Sequence, residues 1–127
     1  MALEADKRDR SYQYGRMLAI LEKAERNTYN KEEKRESNAM RMMSVYAKRP
    51  RYASRVIWER VKTAYYPKLH PGIRAYYDRL LQEIWAILAD IDSEPDRPLG
   101  DTYLMGYYLQ RKELYTKHNE ENGGTEE

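Results

Sequence analysis

From Pro71 to about Asp92 the apolar residues Ile73, Tyr77, Leu80, Leu81, Ile84, Ile87, Leu88 and Ile91 recur at three- and four-residue steps. That spacing gathers them on one helix face, whereas a half-buried strand would need alternation at two. Weaker versions of the pattern fill the rest of the chain. Tyr14, Met17, Leu18, Leu21 and Ala24 predict a helix over about 9–27, with Ser11 as a candidate cap. Ala39, Met42, Met43 and Tyr46 predict a second over about 31–47, which Pro50 ends by pushing its predecessor out of the helical region. Ala53, Val56, Ile57, Val61 and Ala64 predict a third over about 52–66, closed by Pro67 and Pro71. Pro71 suits the first turn of the fourth, over 71–92, where its missing N–H costs no hydrogen bond. A turn-rich linker at 93–100 follows, and Asp101 or Thr102 caps a fifth helix over about 101–117 carrying Leu104, Tyr107, Tyr108, Leu114 and Tyr115. No strand alternation and no Asn-Gly hairpin interrupts this order. The expected fold is all-α, a compact bundle of about five helices over 1–117 with an acidic, disordered tail at 118–127.

Composition narrows the function. A chain of 127 residues suits one domain, and the absence of cysteine excludes disulfides, thiolate metal sites and cysteine nucleophiles. No stretch approaches 18 consecutive apolar residues and no signal peptide is visible, so the expectation is a cytoplasmic protein with no membrane partner. His70 lies in a turn and His118 near the end, which argues against a shared metal site. No phosphate loop or nucleophile elbow is present. The carboxylate pairs Glu22/Glu25 and Asp90/Asp92, and the methionines Met40, Met42 and Met43, read as structural. The expectation is therefore a protein that is not an enzyme, with no cofactor, metal or small-molecule substrate. Thirteen tyrosines and no phenylalanine predict aromatic residues that pack on one side and meet polar partners on the other.

A net charge of +2 conceals an uneven distribution. Residues 31–70 carry 11 basic and 4 acidic side chains, residues 71–127 carry 6 and 12, and between Arg41 and Lys68 the only acid is Glu59. A block of one sign within one domain favours a polyanion-facing side. Arg41, Lys48 and Arg49 lead into it. On the third helix, Arg51, Arg55, Trp58, Lys62 and Tyr65 or Tyr66 fall within about a 100° arc away from the stripe around Ile57 and Val61. Cations interleaved with rings can neutralise phosphates and stack bases without reading sequence. The competing reading is a solvated helix face with the tryptophan tucked against a neighbour.

Two segments carry a family resemblance. The run from Ser11 to Lys23, SYQYGRMLAILEK, resembles the Gly-Arg helix in the C-terminal part of the large subunit of type I-C CRISPR effector (Cascade) complexes. Gly106-Tyr107-Tyr108-Leu109-Gln110-Arg111 resembles that family's closing Gly-Tyr-Tyr-His-Gln-Arg signature. The order of helices between them is also similar, and the resemblance spans roughly 11–117. Leu109 stands where the family usually has histidine, its phenylalanines have no counterpart here, and the segment after Tyr29 diverges most.

The resemblance implies a non-enzymatic small subunit, since the same C-terminal region is made separately in that family by internal initiation. A chain with its own methionine and only this region fits that free form. Its implied partners are the backbone and large subunits, the crRNA–target DNA R-loop and further copies of itself. Base pairing reads the sequence in such complexes, so this chain needs only a backbone grip on target and displaced strands. The alternative is a helical scaffold whose basic face docks an acidic protein surface. Gly15 and Gly106, each costly inside a helix, point to close helix approach. Arg16 and Arg111 suit either phosphate or a neighbouring subunit, or an intrabundle carboxylate such as Glu22 or Glu113. Tyr107 and Tyr108, about 100° apart, should place one ring inside and one on the rim.

Overall fold

In a computed structural model the backbone is described for residues 1–30 and 32–126 and the side chains for 1–30 and 32–116. Helix α1 (Arg10–Arg26) runs through the middle of the molecule, and every residue from Tyr12 to Glu25 is buried. Around it lie α2 (Asn38–Arg41), α3 (Met43–Lys48), α4 (Pro50–Arg60), α5 (Pro71–Ile91) and α6 (Thr102–Glu126). A π-helical turn, Val61–Tyr65, and a 3₁₀ turn, Tyr66–Lys68, extend α4. The described residues form six α-helices and no strand, so the all-α expectation holds. Helix α6 continues past the end expected at 117, to Glu126, and the side chains of the acidic tail expected at 118–127 lie outside those described.

Several boundaries differ from the sequence reading for local reasons. Asp9, not Ser11, caps α1 by accepting from the Tyr12 N–H at 3.1 Å. The Ser11 hydroxyl instead accepts from the Gly100 N–H at 2.7 Å and ties the linker to α1. The second helix starts only at Asn38, where the Ser37 hydroxyl accepts from the Met40 N–H at 3.1 Å, and it breaks at Met42 into α2 and α3. The preceding loop is held by the buried Glu25 carboxylate, which accepts from the Asn38 backbone at 2.8 Å and from the Tyr29 hydroxyl. Pro50 both ends α3 and opens α4, and Pro71 opens α5. The His70 ring caps α5 by accepting from the Gly72 N–H at 3.0 Å.

The core is rich in tyrosine. Tyr12, Tyr14, Tyr46, Tyr65, Tyr77 and Tyr107 are buried, and each hydroxyl has a partner. The Tyr46 hydroxyl donates to the Tyr14 carbonyl at 2.6 Å while its ring stacks on Tyr103 with centroids 5.9 Å apart. Phenylalanine would fill the same volume but leave these buried groups unpaired, which costs roughly 1–3 kcal/mol each where no water replaces the bond. Tyr77, Leu80, Leu81, Ile84 and Leu88 of α5 supply the aliphatic wall, as the periodicity predicts. Ile73 remains exposed.

The two signature segments meet at one crossing of α1 and α6. A Cβ on Gly15 would overlap the Tyr103 carbonyl oxygen and lie 2.8 Å from the Tyr107 nitrogen. One on Gly106 would overlap the Tyr12 carbonyl oxygen and lie 2.9 Å from its carbon. The obstacles are backbone atoms, so only glycine allows the approach. Next to it Arg16, 0% exposed, donates through Nε to Gln110 Oε1 at 2.9 Å and through Nη1 to Gln13 Oε1 at 2.8 Å and the Ala5 carbonyl at 2.6 Å. Burial lowers the Arg16 pKa. Its partners are neutral, so the carboxylate pairing considered from sequence does not occur among the described residues. Glu22 is taken by the Tyr107 hydroxyl at 2.8 Å, while the neighbouring Tyr108 is 56% exposed. Arg111 lies exposed, its guanidinium 5.4 Å from the Tyr115 ring centroid.

Candidate nucleic-acid interface

The cations singled out on α2–α4 and the turns after it divide into two groups. Arg51 is half-buried and turned inward: its Nη2 lies 3.1 Å from Asp92 Oδ2 and donates to the Asp92 and Glu94 carbonyls at 3.2 and 2.5 Å. Asp92, with its side chain only 2% exposed, also takes Arg10 at 2.8 Å, Arg97 at 3.3 Å and the Tyr14 hydroxyl at 2.8 Å. Burial alone would raise the Asp92 pKa; the Tyr14 hydroxyl, Arg51 and Arg10 outweigh it and hold the carboxyl below its ordinary value. Burial first, and then Asp92, push the Tyr14 hydroxyl up to about 12.

The linker at 93–100 is part of this clamp. Asp96 accepts from the Arg51 and Tyr52 N–H groups, both at 3.0 Å, and so caps α4 from 45 residues downstream of Arg51. The acidic block of the sequence thus folds back onto the start of the basic one. Three guanidinium groups converge on one buried carboxylate, a geometry that stabilises only while all partners are present.

The second group faces outward. Arg41, Lys48 and Arg55 are exposed and have no hydrogen-bond or ion-pair partner among the described residues. Arg49 covers the Tyr52 ring at 4.6 Å. Lys62 pairs with Glu59 at 3.1 Å on the surface, an interaction worth at most about 1 kcal/mol and readily exchanged. Arg60, which the sequence reading did not select, is exposed and without a partner in the same way. Nine residues after Arg51, it lies about 180° from that residue around the helix and so outside the expected arc.

The aromatic members of the expected arc do not stand on the surface. The π-helical turn at Val61–Tyr65 adds a residue to the local repeat and rotates the chain beyond it, so Tyr65 and Tyr66 are both buried. Trp58 is half-buried, edge-on to Trp85 with centroids 5.3 Å apart and to Tyr66 at the same separation. The tucked tryptophan weighed from sequence is the arrangement found. Val56, expected inside, is 41% exposed.

Two depressions flank this helix. One of about 710 Å³ is lined by Met42, Val56 and Ile57 together with Arg55, Arg60 and Glu59. The other, about 330 Å³, lies among α1, α4 and α5. Arg55 borders both. Trp85 in the smaller one was missed, although its spacing from Leu81 and Leu88 places it on their face. No group of three or more His, Asp or Glu residues placed to hold a metal ion occurs among the described residues. None of the described helices is long and apolar enough to cross a membrane.

These features define an all-α protein whose central helix is clamped at a glycine crossing and whose outer helix presents cations without a partner among the described residues. The model of the CRISPR-associated protein (Cas_Csd1) family matches residues 1–115, and the chain belongs to that family. No curated protein and no solved structure matches it.

Proposed function

We propose that the chain is the non-enzymatic small subunit of a type I-C CRISPR effector (Cascade) complex, working in the prokaryotic cytoplasm. It packs along the crRNA-bearing backbone beside the large subunit and further copies of itself. It steadies target and displaced DNA strands by a sequence-independent grip. The observation that carries this reading is the set of outward cations Arg41, Lys48, Arg49 and Arg55 in a CRISPR-associated chain. Arg51 and Trp58 support that face from behind. The candidate acid–base groups are already committed to structure: His70 caps α5, and Glu22, Glu25 and Asp92 hold buried bonds. The signature residues Gly15, Arg16, Gly106, Tyr107 and Gln110 likewise serve the crossing.

The test is fluorescence anisotropy of a labelled mixed-sequence single strand across a salt series. Replacing Arg41, Lys48 and Arg55 together by alanine should weaken binding at low salt and reduce the salt slope by about 2, the value for three lost phosphate contacts on a single strand. Unchanged affinity and slope would remove the assignment. A second reading, a scaffold that docks an acidic protein surface, is favoured by the groove of Met42, Val56 and Ile57, whose lining holds Arg55 and Arg60 against Glu59, itself paired with Lys62. Under that reading, excess DNA or RNA fails to displace the protein partner.

A further inference from the structure

The smaller depression has the composition of a base-binding pocket. Met17, Leu88, Trp58 and Trp85 supply apolar and aromatic wall, and Arg51 and Arg55 also line it. Its volume, about 330 Å³, is within the range that small ligands occupy. The Tyr14, Arg51, Ser54 and Asp92 side chains in its lining are already engaged. The Tyr14 hydroxyl donates to Asp92 at 2.8 Å, Arg51 is bound to the same carboxylate, and the Ser54 hydroxyl donates to the Arg51 carbonyl at 3.1 Å. Asp92 is itself neutralised by Arg10, Arg51 and Arg97. Arg55 is left as the cation without a partner among the described residues. An occupant matched to this site offers a flat apolar face to the tryptophans and one negative charge beside it.

We propose that the pocket receives one unstacked base of a single strand, packed against Trp58 and Trp85, with Arg55 on the adjacent phosphate. This deepens, and rests on, the strand-gripping role proposed above. Stacking tolerates every base, because each has a π face, and with Tyr14, Arg51, Ser54 and Asp92 engaged the wall keeps no acceptor side chain for reading base edges. It therefore adds affinity for unpaired strand over duplex without adding sequence preference. A duplex keeps its bases stacked and presents only phosphates.

The chain has two tryptophans and both line this pocket, so its whole indole emission reports on occupancy. A thymidine 12-mer and a fully abasic strand of equal length share a phosphate backbone and differ in bases. The thymidine strand should quench the emission and bind about tenfold more tightly than the abasic strand, the usual scale for one stacked base. Ala89 is exposed yet borders the pocket, so Ala89→Leu fills it without touching a cation. That variant should lose the quenching and the tenfold preference while binding the abasic strand as the parent does. Circular dichroism checks its fold, and Ala89→Met serves if leucine disturbs it. Arg55→Ala should weaken both strands.

Equal affinity for the two strands without quenching overturns the base pocket and leaves the backbone grip standing. Failure of both strands to bind overturns the strand-gripping role and the pocket with it. Quenching by a glutamate–tyrosine copolymer but by neither strand assigns the site to an acidic protein segment instead.

Discussion

The crossing of α1 with α6 and the outer side of α4 hold their arginines in opposite ways. At the crossing, Arg16 is sealed among Gln13, Gln110 and the Ala5 carbonyl, and the glycines beside it leave no room for adjustment. On α4, Arg55 stands in solvent between two depressions with no partner among the described residues. The first arrangement uses charge-assisted hydrogen bonds to fasten three distant segments into one core. The second leaves the charge available to something outside the chain. Residue type is the same in both; what differs is whether the backbone around it can close.

Asp92 lies where the two regions join, since it binds Arg10 at the start of α1 and Arg51 at the start of α4. That position makes the comparison breakable at three levels. The largest effect is expected at the crossing. Gly15→Ala or Gly106→Ala sets a methyl against a carbonyl that cannot move independently, and overpacking against backbone should cost about 3 kcal/mol or more. Thermal unfolding should then shift down by about 10 °C or more. A loss of under about 1 kcal/mol would mean that the two helices separate easily and that the crossing is not what seals Arg16.

The intermediate effect is at the junction, and it depends on pH. Asp92→Asn should cost about 3 kcal/mol near neutrality, because it leaves Arg10 and Arg51 facing a neutral group. The Asp92 pKa is lowered in the folded protein, so its contribution is complete above the unfolded value of about 4 and lost as pH falls through the folded one. Denaturant titrations of parent and variant should therefore converge as pH falls through the lowered folded-state value of Asp92. Persistence of the full difference at low pH would show that shape, not charge, sustains the clamp.

The smallest effect on stability belongs to the outer face. Arg55→Ala should leave the unfolding midpoint in urea unchanged to within about 0.5 kcal/mol of stability, while reducing strand affinity. A large loss of stability from that variant would place Arg55 inside the folding machinery and erase the contrast with Arg16.

Much of the architecture was legible because it follows from spacing and punctuation. The α5 stripe, the proline starts and the glycine approach need only local geometry and the size of a side chain. The charge block was visible too, but its use was not. Arg51 and Arg55 are alike in sequence, one helical turn apart, and Asp92 with the start of the linker behind it turns the first inward. The burial of Gln13, Arg16, Glu22 and Glu25 was equally hidden, since polar residues on a helix read as solvent-facing. Each is tolerated inside because a distant segment supplies its hydrogen bond.

The amino-acid sequence by itself determined that this chain is helical, that two glycines mark a close approach, and that its charge is divided between two blocks. Those properties depend on neighbours within a few residues or on simple counts. Tertiary structure alone decided which cations are engaged by Asp92 and which face solvent, and it gathered Trp58 and Trp85 into one pocket. It also turned Tyr65 and Tyr66 into the core through a π-helical turn. These outcomes depend on contacts between segments 27 to 94 residues apart, whose pairing is set by which buried polar groups can be satisfied together.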